Sequence, residues 1–274
     1  MTVPPVGSVI SLWRYPVKSM MGEELNAADL TQQGLRGDRA YALLDSSDGK
    51  VASAKNPRKW PQLFEFHAAL AHDPRTDEKV PPVRITLPDG ATVSNEQPDV
   101  HQILSKALKR EVKLQSLSPD RGTATAEEYW PDIEGLQFRE TVTDFGLPEG
   151  TFFDCAFVHV LTTATLDHLR ALYPQGRFEV RRFRPNIVVE TAGGAKDFVE
   201  NSWVGRTLCI GDAVRLSVTA PCARCVMTTL PQGDLPKDAD ILRTAAQHNQ
   251  ANVGVYAAVL QGGTIRRGDS VRLE

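Results

Sequence analysis

Ile210-Gly211-Asp212-Ala213-Val214-Arg215-Leu216 and Arg267-Gly268-Asp269-Ser270-Val271-Arg272-Leu273 are two copies of one pattern. In each, a Gly-Asp turn leads into a short strand that alternates apolar and polar residues. Such a pair suits a small barrel or a sandwich, where strands turn back on themselves within a few residues. Two copies are too few for a solenoid, whose repeats stack in series.

The rest of the chain favours the same class. Gly7 to Ser19 is rich in β-branched and aromatic residues and runs into Pro16, which ends regular pairing. Gly34-Leu35-Arg36-Gly37-Asp38-Arg39 reads as a turn and Ala40 to Asp45 as a strand, followed by hairpin chemistry at Ser46-Ser47-Asp48-Gly49. Arg84 to Leu87, Pro88-Asp89-Gly90 and Ala91 to Val93 repeat that arrangement. Pro98 to Lys109 carries Val100, Ile103, Leu104 and Leu108 on one helical face. Ser116 to Gly150 has little periodicity and reads as a long connection. Phe157 to Leu161 reads as a buried strand, with Thr162 or Thr163 capping a helix through Tyr173. Arg182 to Glu190 reads as a strand entered from a basic turn, and a further helix is expected from Asp238 to Gln247. The class is α+β, dominated by β.

At 274 residues the chain suits one large or two closely packed domains. Its formal net charge of −3 supplies no broad positive field, so no nucleic acid partner is expected. No apolar run approaches the roughly 20 residues that span a bilayer. Met1-Thr2-Val3-Pro4-Pro5-Val6-Gly7 lacks the basic start and apolar core of a signal peptide. Four cysteines, at 155, 209, 222 and 225, are too few for a disulfide scaffold. A cytoplasmic protein with no membrane partner is expected.

Two of those cysteines stand in Pro221-Cys222-Ala223-Arg224-Cys225-Val226-Met227-Thr228-Thr229. A Cys-x-x-Cys pair can share a metal, form a disulfide or offer one sulfur as a ligand. A guanidinium between the thiols favours the thiolate, the form that binds metal or attacks. The pair can equally be two half-buried thiols at a strand end, packing as small hydrophobes. Tetrahedral zinc needs a second pair of Cys or His ligands, and the six histidines are scattered singly. A thioredoxin-like dithiol needs the pair at a helix N-terminus, whereas Val226 to Thr229 reads as continuing extended. A third reading has one thiolate ligating a soft metal centre supplied by a bound anionic cofactor. Basic and N–H-donating groups for that anion stand at Lys18-Ser19, Arg39, Arg184 and Asn186, and in the threonines that open a helix. Taken singly, Lys18 or Arg39 is an ordinary solvated charge or a carboxylate partner.

In order along the chain come Tyr15-Pro16-Val17-Lys18-Ser19, Gly34-Leu35-Arg36-Gly37-Asp38-Arg39, Phe183-Arg184-Pro185-Asn186-Ile187-Val188, Glu200-Asn201-Ser202-Trp203 and Cys222-Ala223-Arg224-Cys225-Val226-Met227-Thr228-Thr229. Together they resemble the MOSC family, named for the C-terminal domain of molybdenum cofactor sulfurase, and within it the amidoxime-reducing molybdoenzymes and their bacterial relatives. The resemblance covers nearly the whole chain. It implies two interleaved β-barrel-like domains with a few helices: a MOSC N-terminal β-barrel domain over residues 1–120 and the MOSC domain over 121–274. A molybdenum–molybdopterin cofactor would lie between them. Cys225 would give the metal a third sulfur beside the two of the pterin dithiolene. Lys18, Ser19 and Arg39 would hold the pterin and its phosphate together with Arg184 and Asn186, and Arg224, Thr162 and Thr163 would join them. Asp154 matches a family acidic position near the metal and is expected to have a proton role. Cys155 departs from the hydroxyl residue usual in the animal enzymes. Neither a membrane anchor at the start nor an iron–sulfur segment at the end is expected.

The reaction implied is two-electron reduction of the N–O bond in amidoximes, hydroxylamines and N-hydroxylated bases. No Gly-x-Gly-x-x-Gly follows a strand, so electrons are expected from a separate electron-transfer protein rather than a nicotinamide bound here. Two other functions fit the same residues. One is a sulfur carrier with a persulfide on Cys225; the other is a protein that binds or delivers the molybdenum cofactor without turnover.

Overall fold

The computed structural model describes residues 4–74, 79–117, 122–194 and 197–274. Seven strands close a barrel. Around it run Ile187–Thr191, Val158–Thr162, Asn252–Gln261, Val214–Ala223, Thr207–Ile210, Ser270–Leu273 and Gly7–Arg14, and the last returns to pair with the first. Neighbours are antiparallel except Val158–Thr162 and Ile187–Thr191, which run parallel. A parallel pair needs a crossover, and here it is supplied by the helix Thr163–Leu172 and the short helix Val180–Phe183. The two Gly-Asp units land on either side of one strand, so that Ile210 pairs with both Val214 and Val271. Their valines and leucines are buried, and Arg215 and Arg272 alternate with them.

A second core belongs to the first half of the chain. It is enclosed by Tyr41–Asp45 paired with Val112–Ser116, by a sheet of His67–Leu70, Val83–Thr86 and Thr92–Ser94, and by the helix Val100–Leu108. Val100 and Leu104 of that helix are buried in this core, and Ile103 and Leu108 pack against it. Two residues from the far end of the chain, Val226 and Leu230, are buried in the same core. The halves therefore interlock: the first strand is a stave of the C-terminal barrel, and the segment after Cys225 fills the N-terminal core.

Three expectations are corrected. Residues 116–150 contain a hairpin, Thr125–Trp130 against Thr141–Gly146, where a connection was expected. Its Ala126 bridges to Val51, which ties the hairpin to the first half. The segment 182–190 is not one strand: Val180–Phe183 is helical, Arg184 turns left-handed, and the strand begins at Ile187. Val226–Thr229 is one turn of 3-10 helix rather than extended. The Thr228 and Thr229 hydroxyls donate to the carbonyls of Cys225 and Val226, at 3.0 and 2.8 Å, which satisfies the tight turn from within. The expected domain division after residue 120 lies outside the described residues, as do residues 1–3 of the N-terminal segment. The helix expected near 238–247 runs Asp240–Asn249. No helix among the described residues is long and apolar enough to cross a membrane.

Candidate functional site

Where the two cores meet, a cleft of about 100 Å³ opens. Lys18, Ser19 and Arg39 enter it from the loops between the strands Gly7–Arg14 and Tyr41–Asp45. Arg184 and Asn186 enter from the turn before Ile187–Thr191, Asp154 from the approach to Val158–Thr162, and Arg224 and Cys225 from beyond Val214–Ala223. Ser19, Arg39 and Arg184 all hold positive φ, at 65°, 48° and 52°. Residues with a Cβ seldom adopt that conformation, and where it persists the surroundings must hold it. Ser19 Oγ accepts the Ala54 N–H at 3.0 Å, Arg39 N–H donates to the Tyr15 carbonyl at 2.8 Å, and Arg184 N–H to the Val180 carbonyl at 3.2 Å.

Tyr15 and Asp38 organise one wall. The guanidinium carbons of Arg184 and Arg39 lie 4.1 and 4.8 Å from the Tyr15 ring centroid. Both cations gain from the ring face. Asp38 counters their charge: it pairs with Arg39, accepts the Tyr15 N–H at 2.7 Å and accepts Asn186 Nδ2 at 2.9 Å. Burial pulls the Arg184 pKa down to about 10, with Arg39 adding to the fall. Arg184 also donates to the Met20 carbonyl at 2.6 Å.

The opposite wall is a chain of alternating charges. Asp154 pairs with Lys18 and stands 3.3 Å from Lys55, which in turn stands 3.4 Å from Glu128. Burial opposes the Asp154 charge, but the two lysines outweigh it and hold the carboxyl well below the usual range. Burial pulls Lys18 below the ordinary lysine range, with Asp154 opposing; its Nζ also donates to the Phe152 carbonyl at 2.8 Å. Counting the lining, Lys18, Lys55, Arg39, Arg184 and Arg224 face Asp154 as the one carboxylate. Such an excess of donors favours an anion bearing several oxygens.

The two cysteines have different surroundings. Cys222 is fully buried and its Sγ accepts Arg224 Nη1 at 2.7 Å. Arg224 Nη2 donates to the Phe183 carbonyl at 2.8 Å, and its Nε is buried without a partner. Cys225 lines the cleft and opens the 3-10 turn. Burial pushes its thiol from an ordinary 9.0 up to about 11, with Lys55 pulling it down and Glu128 adding to the rise. The Arg224 guanidinium also favours the Cys225 thiolate, as its place between the two cysteines suggests, but burial outweighs it.

Thr162 and Thr163 stand outside the cleft lining, contrary to expectation. The buried Thr162 hydroxyl donates to Glu200 at 2.7 Å and accepts the Thr165 N–H at 3.2 Å, so it caps its own helix. Sequence reasoning missed Lys55, Phe152, Phe153, His159, Met227 and Tyr256, all in the lining. His159 is neutral, since burial and then the nearby Arg224 pull its pKa down to about 3, and its Nε2 lies 3.1 Å from the Val253 carbonyl. Gly254 makes that packing feasible. At its φ of +81°, an added Cβ would stand 2.2 Å from His159 Nε2.

Residues 6–128 match the family model described as the MOSC N-terminal beta barrel domain, and residues 148–272 match the MOSC domain. Mitochondrial amidoxime-reducing component 1 of Homo sapiens is 26% identical over 300 residues, spanning 98% of this chain and 83% of that protein. Mitochondrial amidoxime reducing component 2 of Bos taurus is 25% identical over 300 residues, spanning 97% and 83%. Among solved structures, the YUAD protein from Bacillus subtilis superposes with a TM-score of 0.48 at 11% identity, covering 97% of this chain and 94% of that one.

Proposed function

We propose, because both halves of this chain belong to the MOSC family, that it is a molybdenum-cofactor-dependent oxidoreductase that reduces the N–O bond of N-hydroxylated compounds. The observation that carries the reading is the meeting of five cations and Cys225 in one cleft to which both halves contribute. The donor set suits a phosphate-bearing pterin: Lys18, Ser19, Arg39, Arg184 and Asn186 would hold it, and Arg224 offers a buried Nε with no partner of its own. No three His, Cys, Asp or Glu side chains group as metal ligands among the described residues. A metal bound at Cys225 would accordingly take its other ligands from the cofactor, as soft thiolate ligation allows. Names of relatives support the substrate class, since the human and bovine proteins are amidoxime-reducing components.

When bound, the cofactor would supply the two electrons that, with two protons, turn an N-hydroxyl into N–H and water. The protein's part is binding, orientation and charge. Cys225 Sγ would bind as thiolate and so release its proton on metal uptake. Asp154, held as a carboxylate by Lys18 and Lys55, would fix those two lysines, and its proton role would be that of an acceptor rather than a donor. Electrons would come from a separate electron-transfer protein in the cytoplasm, with no nucleic acid or membrane involved.

The test uses protein produced in a host that makes the cofactor. Near-stoichiometric molybdenum is expected, with turnover of an N-hydroxylated substrate driven by a reduced viologen and none with NADH alone. Molybdenum without turnover would indicate a delivery protein. A persulfide on Cys225 with no molybdenum would indicate a sulfur carrier.

A further inference from the structure

Arg182 has no accessible surface. A buried guanidinium ordinarily takes a carboxylate, whose charge offsets the loss of water. Arg182 takes four carbonyls instead: Arg177 at 2.8 Å from Nε, Thr228 and Leu230 at 3.1 and 3.2 Å from Nη1, and Pro236 at 2.9 Å from Nη2. Thr228 and Leu230 are both buried, and they end the turn that Cys225 opens.

Each carbonyl of that turn has a donor, and Met227 O also takes the nearby Gln232 Nε2 at 3.5 Å. Cys225 O accepts from the Thr228 N–H and hydroxyl, and Val226 O from the Thr229 hydroxyl. Met227 O accepts from the Leu230 N–H, and Thr229 O from the Asp238 N–H. Thr228 O and Leu230 O accept from Arg182. Among the described residues, Arg182 is thus the one donor to these carbonyls from a distant segment. The tie runs both ways, because Arg224, the residue before Cys225, donates to the carbonyl of Phe183, the residue after Arg182. Immediately beyond, Arg184 and Asn186 enter the cleft.

We propose that Arg182 is a positioning residue for Cys225, setting where its sulfur stands relative to the cations of the cleft although Arg182 itself does not line it. Burial of Val226 and Leu230 keeps the turn attached to the N-terminal core. Apolar contacts of that kind are non-directional and leave the turn free to rock, whereas a planar guanidinium fork, with Nη1 on two carbonyls of the turn and Nε and Nη2 anchored on Arg177 and Pro236, fixes its orientation. The consequence for catalysis rests on the reading above that Cys225 is the metal ligand.

Arg182→Lys keeps the buried cation but loses the fork. In cofactor-free protein, amides of residues 225–230 should exchange with deuterium about tenfold faster, while the barrel strand Asn252–Gln261 exchanges as before. In Arg182→Gly, added methylguanidinium should restore slow exchange. In the loaded enzyme, Arg182→Lys should lower kcat about tenfold with KM little changed, since the loss lies in alignment rather than substrate binding. Unchanged exchange at 225–230 in the lysine variant would overturn the proposal. So would a rise of equal size throughout the barrel, which marks a general stabiliser. If the glycine variant does not fold, the lysine variant decides alone. The exchange arm needs no cofactor, so a wild-type protein without molybdenum would defeat the functional reading and leave this one standing.

Discussion

The raised pKa of Cys225 makes a kinetic prediction about protein stripped of cofactor. Between an ordinary 9.0 and about 11, the thiolate fraction at neutral pH falls by the whole difference. Two units correspond to about 100-fold less thiolate. A more basic thiolate is also a better nucleophile, with a Brønsted slope of roughly 0.4–0.5, which returns a factor of roughly 6 to 10. The net expectation is alkylation by iodoacetamide about 10- to 20-fold slower than a free cysteine at pH ~7.5. The pH profile is the sharper signature. The rate should climb about tenfold per unit to about pH 10, whereas a thiol of the ordinary 9.0 begins to level off near pH 9. The measurement needs Cys155→Ser as background, since Cys155 is exposed while Cys209 and Cys222 are buried. On that background Lys55→Met should slow the reaction further and Glu128→Gln should speed it, because Lys55 favours the thiolate and Glu128 opposes it. A rate that bends over at or below pH 9.0 would refute the reasoning, and would mean that Arg224 and Lys55 outweigh burial at Cys225.

Two further outcomes are expected. Cys225→Ala should abolish molybdenum binding with little change in melting temperature, whereas Cys222→Ala should cost about 1–2 kcal/mol of stability and only part of the molybdenum content, because it removes a buried packing atom and the acceptor of Arg224; metal analysis with calorimetry separates the two. Gly254→Ala places a Cβ 2.2 Å from His159 Nε2 and 2.6 Å from the Val160 carbonyl at a left-handed φ, and should cost about 2–4 kcal/mol, lowering Tm by roughly 5–10 °C.

How much the chain disclosed depended on the range of the interaction. The Gly-Asp units were readable because turn chemistry and strand alternation are local, and they fell where a barrel would need them. Lys18, Arg39, Arg184, Asn186, Arg224 and Cys225 were readable as an ordered set of motifs, although nothing local says that they share a cleft. Lys55 was missed because Ala54-Lys55-Asn56-Pro57 has no periodicity; its meaning comes from Asp154 and Glu128, which reach it only in the folded chain. Val226 to Thr229 was misread because β-branched residues favour extension, while their hydroxyls and two buried apolar anchors decide for a turn. The strand Thr141–Gly146 was overlooked although Thr-Val-Thr-Asp-Phe alternates, since its partner lies across a connection of ten residues, 131–140.

Barrel closure by Gly7–Arg14 has a consequence for synthesis. The stave that leaves the ribosome first must wait for Ile187–Thr191 and Ser270–Leu273, its two barrel neighbours, and the latter is made last. Such pairing is as non-local as this chain permits, and non-local closure is slow. Lys18 and Arg39 follow the first stave and Cys225 precedes the final one, so the residues of the cleft lie between the two strands whose pairing closes the barrel. The MOSC domain cut away at residue 148 would therefore be a barrel with one stave missing.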